Sequence, residues 1–167
     1  ISPIPWQTDT AIGKDSWGYK KDNTYKSTRQ IITDLIDIVS KNGMLLLNIG
    51  PKPDGTITDE ETQVLKELGE WMKLNGEGIY GTTFWKQFGE GDVNNEEGFF
   101  KDREEKAFTE KDFRFTYKRG SIYAFQMRPN GENAVIKALK KHNAHDFIIK
   151  RITLLSTSAV LKFERNN

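Results

Sequence analysis

Residues 43–51 read GMLLLNIGP, a nearly continuous apolar run that is interrupted by one asparagine and closed by Gly50 and Pro51. A run of this length between breakers is typical of a strand buried on both faces, as in a parallel sheet. One parallel strand alone has unpaired edges on both sides. The sequence therefore predicts that polypeptide upstream of residue 1 supplies neighbouring strands.

Two amphipathic helices flank this run. Before it, a capping box at Ser27 and Gln30 precedes an apolar helical face that ends at an Asn-Gly pair. After it, the Pro-Asp-Gly turn at 53–55 leads to a second capping box at Thr58 and Glu61, and that helix also ends at Asn-Gly. Helix, buried strand and helix with short connections indicate one repeat of an α/β fold.

Beyond Trp85 the helical period gives way to alternation. Residues 113–118 and 122–127 alternate apolar with polar positions and are separated by an Arg-Gly turn. Further apolar runs follow around position 135 and at 148–155 and 159–163. This pattern predicts an antiparallel β-sandwich or meander with its strand aromatics on the core face, joined to the first half by a loop at 90–105.

Composition excludes several classes of function. The 167 residues include 25 basic and 24 acidic side chains, so the net charge of +1 disfavours a nucleic-acid partner. No apolar run approaches the roughly 18 residues that a membrane span needs. The chain has no cysteine, which excludes disulfides, thiolate metal sites and a thiol nucleophile.

Metal and cofactor signals are weak. His142 and His145 lie three residues apart beside Asp146, but this spacing is more typical of a solvated turn than of a metal site. The glycines within 48–55 do not follow a phosphate-binding pattern. The sequence therefore predicts neither a metal nor a cofactor.

The stretch 5–22, PWQTDTAIGKDSWGYKKD, is rich in aromatic residues and glycine and has no clear period. It is expected to be a loop before the first helix, at the carboxyl end of a strand, where α/β folds bind ligands. Its aromatic residues are Trp6, Trp17 and Tyr19. Two interpretations are open: the rings stack on a ring-shaped ligand such as a sugar, or the tryptophans plug the end of a barrel.

Four long segments carry a family resemblance. Residues 5–19, 25–57 and 68–85 closely resemble the C-terminal part of the catalytic domain of the α-L-fucosidases, glycoside hydrolase family 29. Residues 108–125, FTEKDFRFTYKRGSIYAF, are similar to the C-terminal sandwich of that family. The likeness is nearly continuous from Pro5 to Trp85 and has both halves in the family's order.

The resemblance implies the C-terminal portion of a (β/α)8-like barrel at 1–88, followed by a truncated antiparallel β-sandwich at 89–167. It implies cleavage of terminal α-L-fucose from oligosaccharides or glycoconjugates with retention of configuration, in a secreted, periplasmic or lysosomal enzyme. A whole barrel takes about 250 residues. The remainder of the catalytic domain is thus an expected partner of this chain.

The resemblance also assigns residues. It implies that Trp17 lines the fucose pocket against the C6 methyl group, with Tyr19 and Trp6 as further substrate-binding candidates. No segment matches the family's nucleophile motif, and Gln7 stands where some relatives have the acid glutamate. Asp9 and Asp15 are the nearby carboxylates, and loop capping or exposure explains them.

We therefore assign no catalytic residue to this chain and expect it to be inactive alone. Two alternatives stay open. The second half is a carbohydrate-binding or structural module docked on the first, or the chain comes from a relative that binds fucose without hydrolysing it.

Overall fold

The computed structural model describes residues 1–93, 107–131, 133–141 and 147–166. In these residues the chain forms, in order, β1 (Trp6–Ala11), α1 (Thr28–Ser40), β2 (Gly43–Asn48), α2 (Asp59–Asn75), β3 (Thr83–Glu90), β4 (Phe113–Lys118), β5 (Ser121–Gln126), β6 (Ile152–Thr153) and β7 (Val160–Leu161). Single 3-10 turns occupy Gly76–Gly78 and Lys137–Leu139. The strands form three sheets, β1-β2, β3-β4-β5 and β6-β7.

Both helices begin where the sequence predicts. The Ser27 hydroxyl accepts a hydrogen bond from the Gln30 amide at 3.0 Å, and the Thr58 hydroxyl accepts one from the Glu61 amide at 3.2 Å. Each cap satisfies an amide that has no partner within its own helix. Asn42 follows α1 with a φ of 72°, and this left-handed backbone turns the chain directly into β2.

β2 lies parallel to β1, with Trp6 opposite Gly43 and Ala11 opposite Asn48. The parallel strand predicted for the apolar run is therefore confirmed. The loop expected from residue 5 onward is wrong for residues 6–11, which form β1. The strand period is hidden in the sequence because both faces of β1 carry polar side chains.

The two faces of the β1-β2 sheet have different environments. On one face, Leu47 and Ile49 pack against the buried residues Ile12, Ile31 and Val64. On the other face, Met44 and Leu46 are each 54% exposed. Within the described residues, burial on both faces of β2 is therefore not observed.

The second half of the chain is antiparallel, as its alternation predicts. β4 and β5 form a hairpin through Arg119 and Gly120, whose φ angles of 49° and 86° suit a tight turn. β3 joins the other edge of β4 and extends to Glu90, so the boundary expected at residues 88 and 89 lies within β3. β6 and β7 have two residues each, Val135 lies outside every strand, and the two-sheet sandwich stays a prediction.

A buried ion pair joins the two halves. The Arg114 Nε of β4 donates to the Asp37 Oδ1 of α1 at 2.5 Å, and both side chains are 1% exposed. The guanidinium also donates to the Phe113 carbonyl at 3.0 Å and to the Val93 carbonyl at 2.8 Å. Lys41 Nζ donates to the second Asp37 oxygen at 2.9 Å. Both charges are thus compensated where solvent is excluded, as buried charges require.

β4 is buried on both faces. Phe113 and Phe115 are buried as the alternation predicts, but the polar face carrying Arg114 and Thr116 is buried as well. Thr116 donates from its hydroxyl to the Gly78 carbonyl at 2.7 Å, because the turn that follows α2 lies over it. The expectation of a single core face is therefore wrong for β4.

The pKa of Asp37 lies below its usual value. Burial alone would raise this pKa, but the charges of Lys41 and Arg114 and their hydrogen bonds outweigh that effect. A carboxyl whose pKa is lower in the folded state than in the unfolded state stabilises the fold above the unfolded pKa of about 3.9. That stabilisation is lost as the pH falls through the folded pKa.

Replacing Asp37 by Asn is expected to lower the free energy of unfolding at pH 7 by about 3–5 kcal/mol, because it leaves the Arg114 charge buried without its carboxylate. The wild-type chain is expected to lose this advantage progressively below about pH 4. Urea unfolding of both proteins between pH 7 and pH 2 measures the difference. Two curves that stay parallel over this range would contradict the assignment.

Candidate functional site

The candidate site is the segment that connects β1 to α1. Residues 13–25 are here called the aromatic loop. Backbone hydrogen bonds join the two ends of this loop. The Lys14 amide donates to the Thr24 carbonyl at 2.8 Å, and the Lys26 amide donates to the Ile12 carbonyl at 2.9 Å. These two hydrogen bonds hold the aromatic loop at the carboxyl edge of β1 and β2, where α/β folds place ligands.

Asp15 organises the interior of the aromatic loop. Its carboxylate accepts hydrogen bonds from the Thr24 amide at 3.1 Å and the Thr24 hydroxyl at 3.0 Å. Its amide donates to the Asn23 side-chain oxygen at 3.1 Å. Gly13 leaves the space that Asn23 occupies, because a Cβ there would lie 2.4 Å from the Asn23 side-chain nitrogen. Asp15 therefore serves as the loop cap that the sequence suggested.

The loop after β2 supports the aromatic loop. The Asn48 side-chain amide donates to the Trp17 carbonyl at 2.7 Å. Two residues later, Gly50 lies against the backbone of Gly18 and Tyr19, where an added Cβ would come within 3.0 Å of the Gly18 carbonyl carbon. Contacts from the end of β2 and the residues that follow it therefore fix the backbone of the aromatic loop.

The side chains of Trp17 and Tyr19 remain in solvent. Trp17 is 48% exposed and Tyr19 is 41% exposed, although both belong to a segment whose backbone is fixed. Aromatic rings in this state offer an apolar face without first having to leave a core. Within the described residues, neither ring is buried against the sheet.

Trp6 is separated from these two rings. It opens β1 at the opposite end of the sheet, five residues before the strand ends, which corresponds to about 16 Å. Its indole Nε1 donates to the Lys41 carbonyl at 3.1 Å and so satisfies the C-terminus of α1. The ring also lies where a Cβ on Gly43 would be, 2.6 Å away. The structure thus gives Trp6 a packing role and does not bring it to the aromatic loop.

Two altered pKa values in the C-terminal half have structural causes. Burial alone would raise the pKa of Asp112, yet hydrogen bonds from the Val93 and Thr109 amides hold it below its usual value. Burial, and then the hydrogen bond to Glu77, raises the pKa of Tyr123 to about 12. Neither group lies in the aromatic loop, so these shifts reflect the fold rather than a proton-transfer site.

The described residues contain no group of three or more His, Cys, Asp or Glu side chains placed to hold a metal. The motif of His142, His145 and Asp146 lies outside the described residues. Within the described part of the chain, neither helix has the length and apolar content to cross a membrane.

Sequence reasoning missed the residues that fix the backbone of the aromatic loop. The sequence pattern indicates Asn48 only as an interruption of the apolar run and Gly50 only as its end. Asn48 could have been found, because it is the single polar residue in an otherwise apolar run. The contact of Gly50 with Gly18 and Tyr19 joins two segments that are distant in sequence, and residue spacing does not reveal it.

Comparison with known proteins finds similarity to one group of enzymes. Residues 1–77 match the family model described as Alpha-L-fucosidase. The plasma α-L-fucosidase of Homo sapiens is 39% identical over 89 residues, which are 52% of this chain and 19% of that protein. The chain thus spans about a fifth of the length of the curated relatives it matches.

Solved structures extend the similarity. The α-fucosidase of Thermotoga maritima in complex with fucose matches 74% of this chain and 26% of its own, at 36% identity and a TM-score of 0.60. Another solved α-L-fucosidase matches 98% of this chain and 33% of its own, at 32% identity and a TM-score of 0.75. The second match includes the antiparallel half, which is therefore similar in fold to the corresponding part of that structure.

Replacing Gly50 by Ala is expected to displace the aromatic loop, because the new methyl group must push the Gly18–Tyr19 peptide. The change should lower the free energy of unfolding by about 1–2 kcal/mol and shift the NMR signals of the Trp17 indole and the Tyr19 amide. Gly18→Ala is the matched control, since a Cβ there meets nothing within 4 Å. Equal effects of the two substitutions would contradict the close contact.

Proposed function

We propose that the chain forms the C-terminal part of an α-L-fucosidase whose aromatic loop binds fucose, since residues 1–77 match the α-L-fucosidase family model. One observation carries the proposal. The matched residues include Trp17 and Tyr19, whose rings are exposed at the carboxyl edge of two parallel strands. A ligand site at this edge is what the topology favours.

The chemistry of fucose suits these rings. Fucose is a deoxy sugar with a methyl group at C6, and its ring has an apolar face. Burying the methyl against an indole is worth about 0.8 kcal/mol, to which the stacked C–H groups add. Trp17 is proposed to contact the methyl group and Tyr19 to extend the apolar wall.

The proposed reaction is hydrolysis of terminal α-L-fucose from oligosaccharides or glycoconjugates with retention of configuration. Retention requires two carboxyl groups about 5 Å apart. Gln7 is an amide and cannot donate a proton at neutral pH, and Asp15 is engaged by Thr24. We therefore assign the nucleophile and the acid to polypeptide outside the chain described here.

The proposed architecture is a (β/α)8-like barrel followed by a β-sandwich, and because β3 (Thr83–Glu90) already pairs with β4, the proposed division lies before β3 rather than at residues 88 and 89. The order β1, α1, β2, α2 with parallel strands supports the first part. The antiparallel sheet β3-β4-β5 supports the second. The exposed face of the β1-β2 sheet, and its outer edges, which pair with no other strand among the described residues, fit contact with the remainder of the catalytic domain.

The antiparallel half is proposed to have a structural rather than a carbohydrate-binding role. Phe113 and Phe115 are buried, so they present no ring to a sugar. A secreted or lysosomal location is proposed because the relatives are named plasma and tissue α-L-fucosidases. A periplasmic location has only the family resemblance behind it.

Titration of the 167-residue chain with L-fucose is expected to shift the indole NMR signal of Trp17. L-galactose has a hydroxymethyl group in place of the methyl and is expected to bind several-fold more weakly, because its extra hydroxyl must be desolvated. Trp17→Ala, followed through the Tyr19 amide signal because this variant has no Trp17 indole, should abolish the response, whereas Trp6→Phe should preserve it. Equal binding of the two sugars, or loss of binding only in Trp6→Phe, would refute the proposed site.

The purified chain is expected to release no nitrophenol from an aryl α-L-fucoside, because it lacks the carboxyl pair. A parallel preparation of Trp17→Ala controls for a contaminating glycosidase. Turnover by the wild-type chain that the variant lacks would show that the reacting groups lie within these residues.

A further inference from the structure

The carboxylate of Glu61 connects α2 to the loop that follows β2. Glu61 is the third residue of α2 and is only 2% exposed. Its Oε1 accepts a hydrogen bond from the Gly50 amide at 2.9 Å, across eleven residues of sequence. Its Oε2 accepts one from the Thr58 hydroxyl at 3.3 Å. Both carboxylate oxygens therefore have donors.

This arrangement departs from an ordinary capping box. In a capping box the third-position glutamate hydrogen-bonds to the amide of the cap residue. Here the side chain hydrogen-bonds to the Gly50 amide, which belongs to a different segment. The position also faces the positive end of the helix dipole, which favours a negative charge in the first turn. A buried carboxylate is thus stabilised at a point where it fixes one backbone amide.

Gly50 transmits this constraint to the aromatic loop. It contacts the backbone at Gly18 and Tyr19, and a Cβ on Gly50 would lie 3.1 Å from the Tyr19 nitrogen. Asn48, two residues before Gly50, holds the Trp17 carbonyl. Backbone in such close contact cannot move independently. The position of the Trp17 and Tyr19 side chains relative to the sheet therefore depends on the position of the Gly50 backbone.

We infer that Glu61 is a positioning residue for the aromatic loop. It acts through the Gly50 amide and does not contact the sugar. The inference rests on the proposed function for its consequence, since the rings it positions are those proposed to bind fucose. The structural coupling from Glu61 through Gly50 to Trp17 is independent of that function. The coupling from Glu61 to Trp17 is measurable without any ligand.

Three variants test the coupling in the whole 167-residue chain. Glu61→Ala removes both acceptor oxygens, Glu61→Gln keeps one amide oxygen for the Gly50 amide, and Glu60→Gln is the matched control on the exposed side of the same turn. The readouts are the hydrogen-exchange rate of the Gly50 amide and the indole NMR signal of Trp17. The indoles of Trp71 and Trp85, which pack in the apolar core and against Phe115, serve as internal references.

Glu61→Ala is expected to speed exchange of the Gly50 amide at least about tenfold and to shift the Trp17 signal, while the reference indoles stay in place. Glu61→Gln, which keeps one acceptor oxygen, should fall measurably between Glu61→Ala and the wild type, and Glu60→Gln should match the wild type. Unchanged Trp17 signals in a folded Glu61→Ala chain would overturn the inference. If Glu61→Ala does not fold, Glu61→Gln must still differ from Glu60→Gln at Gly50 and Trp17, and identical spectra would overturn it.

Titration of the same variants with L-fucose separates the two claims. A Trp17 signal that responds to Glu61→Ala but never to fucose refutes the proposed sugar site and leaves the coupling standing. A Trp17 signal that responds equally to fucose in the wild type and in Glu61→Ala refutes the positioning role and leaves the site standing. Weaker fucose binding in Glu61→Ala, partly rescued by Glu61→Gln, supports both.

Discussion

The buried pair of Asp37 and Arg114 is the interaction on which the rest of the structure depends. Asp37 lies near the C-terminal end of α1 between Ile36 and Ile38, and α1 also covers the parallel strands. Arg114 lies in β4, the central strand of the antiparallel sheet. Because the buried Arg114 charge is paired with the Asp37 carboxylate, the two halves of the chain share one interior. The antiparallel sheet is therefore part of the packing that fixes α1.

The local features of the fold could be predicted from the sequence. Helix caps, the parallel strand and the β4-β5 hairpin follow from side-chain chemistry within a few residues, and the structure confirms them. β1 could not be predicted, because its alternating faces are both polar. The burial of Arg114 was also missed, since the alternation of β4 indicates a polar face and only the packing of α1 shows that this face is covered.

The candidate site divides in the same way. The family resemblance located Trp17 and Tyr19, and the structure shows both rings exposed on a fixed backbone. The resemblance could not separate them from Trp6, because position along the chain does not show which end of a strand a residue occupies. The contacts from Asn48, Gly50 and Glu61 join segments that are distant in sequence, and no periodic pattern records them.

The ion pair also has a consequence for biosynthesis. Asp37 and Arg114 are separated by 77 residues. At roughly 5–20 residues per second, a ribosome makes Arg114 about 4–15 seconds after Asp37. Throughout that interval the nascent helix carries the Asp37 carboxylate beside its apolar residues without the Arg114 guanidinium that pairs with it in the folded chain. The hairpin that delivers Arg114 forms within about 10 microseconds once it emerges, so the order of translation, rather than the speed of local folding, determines when α1 acquires its final neighbours.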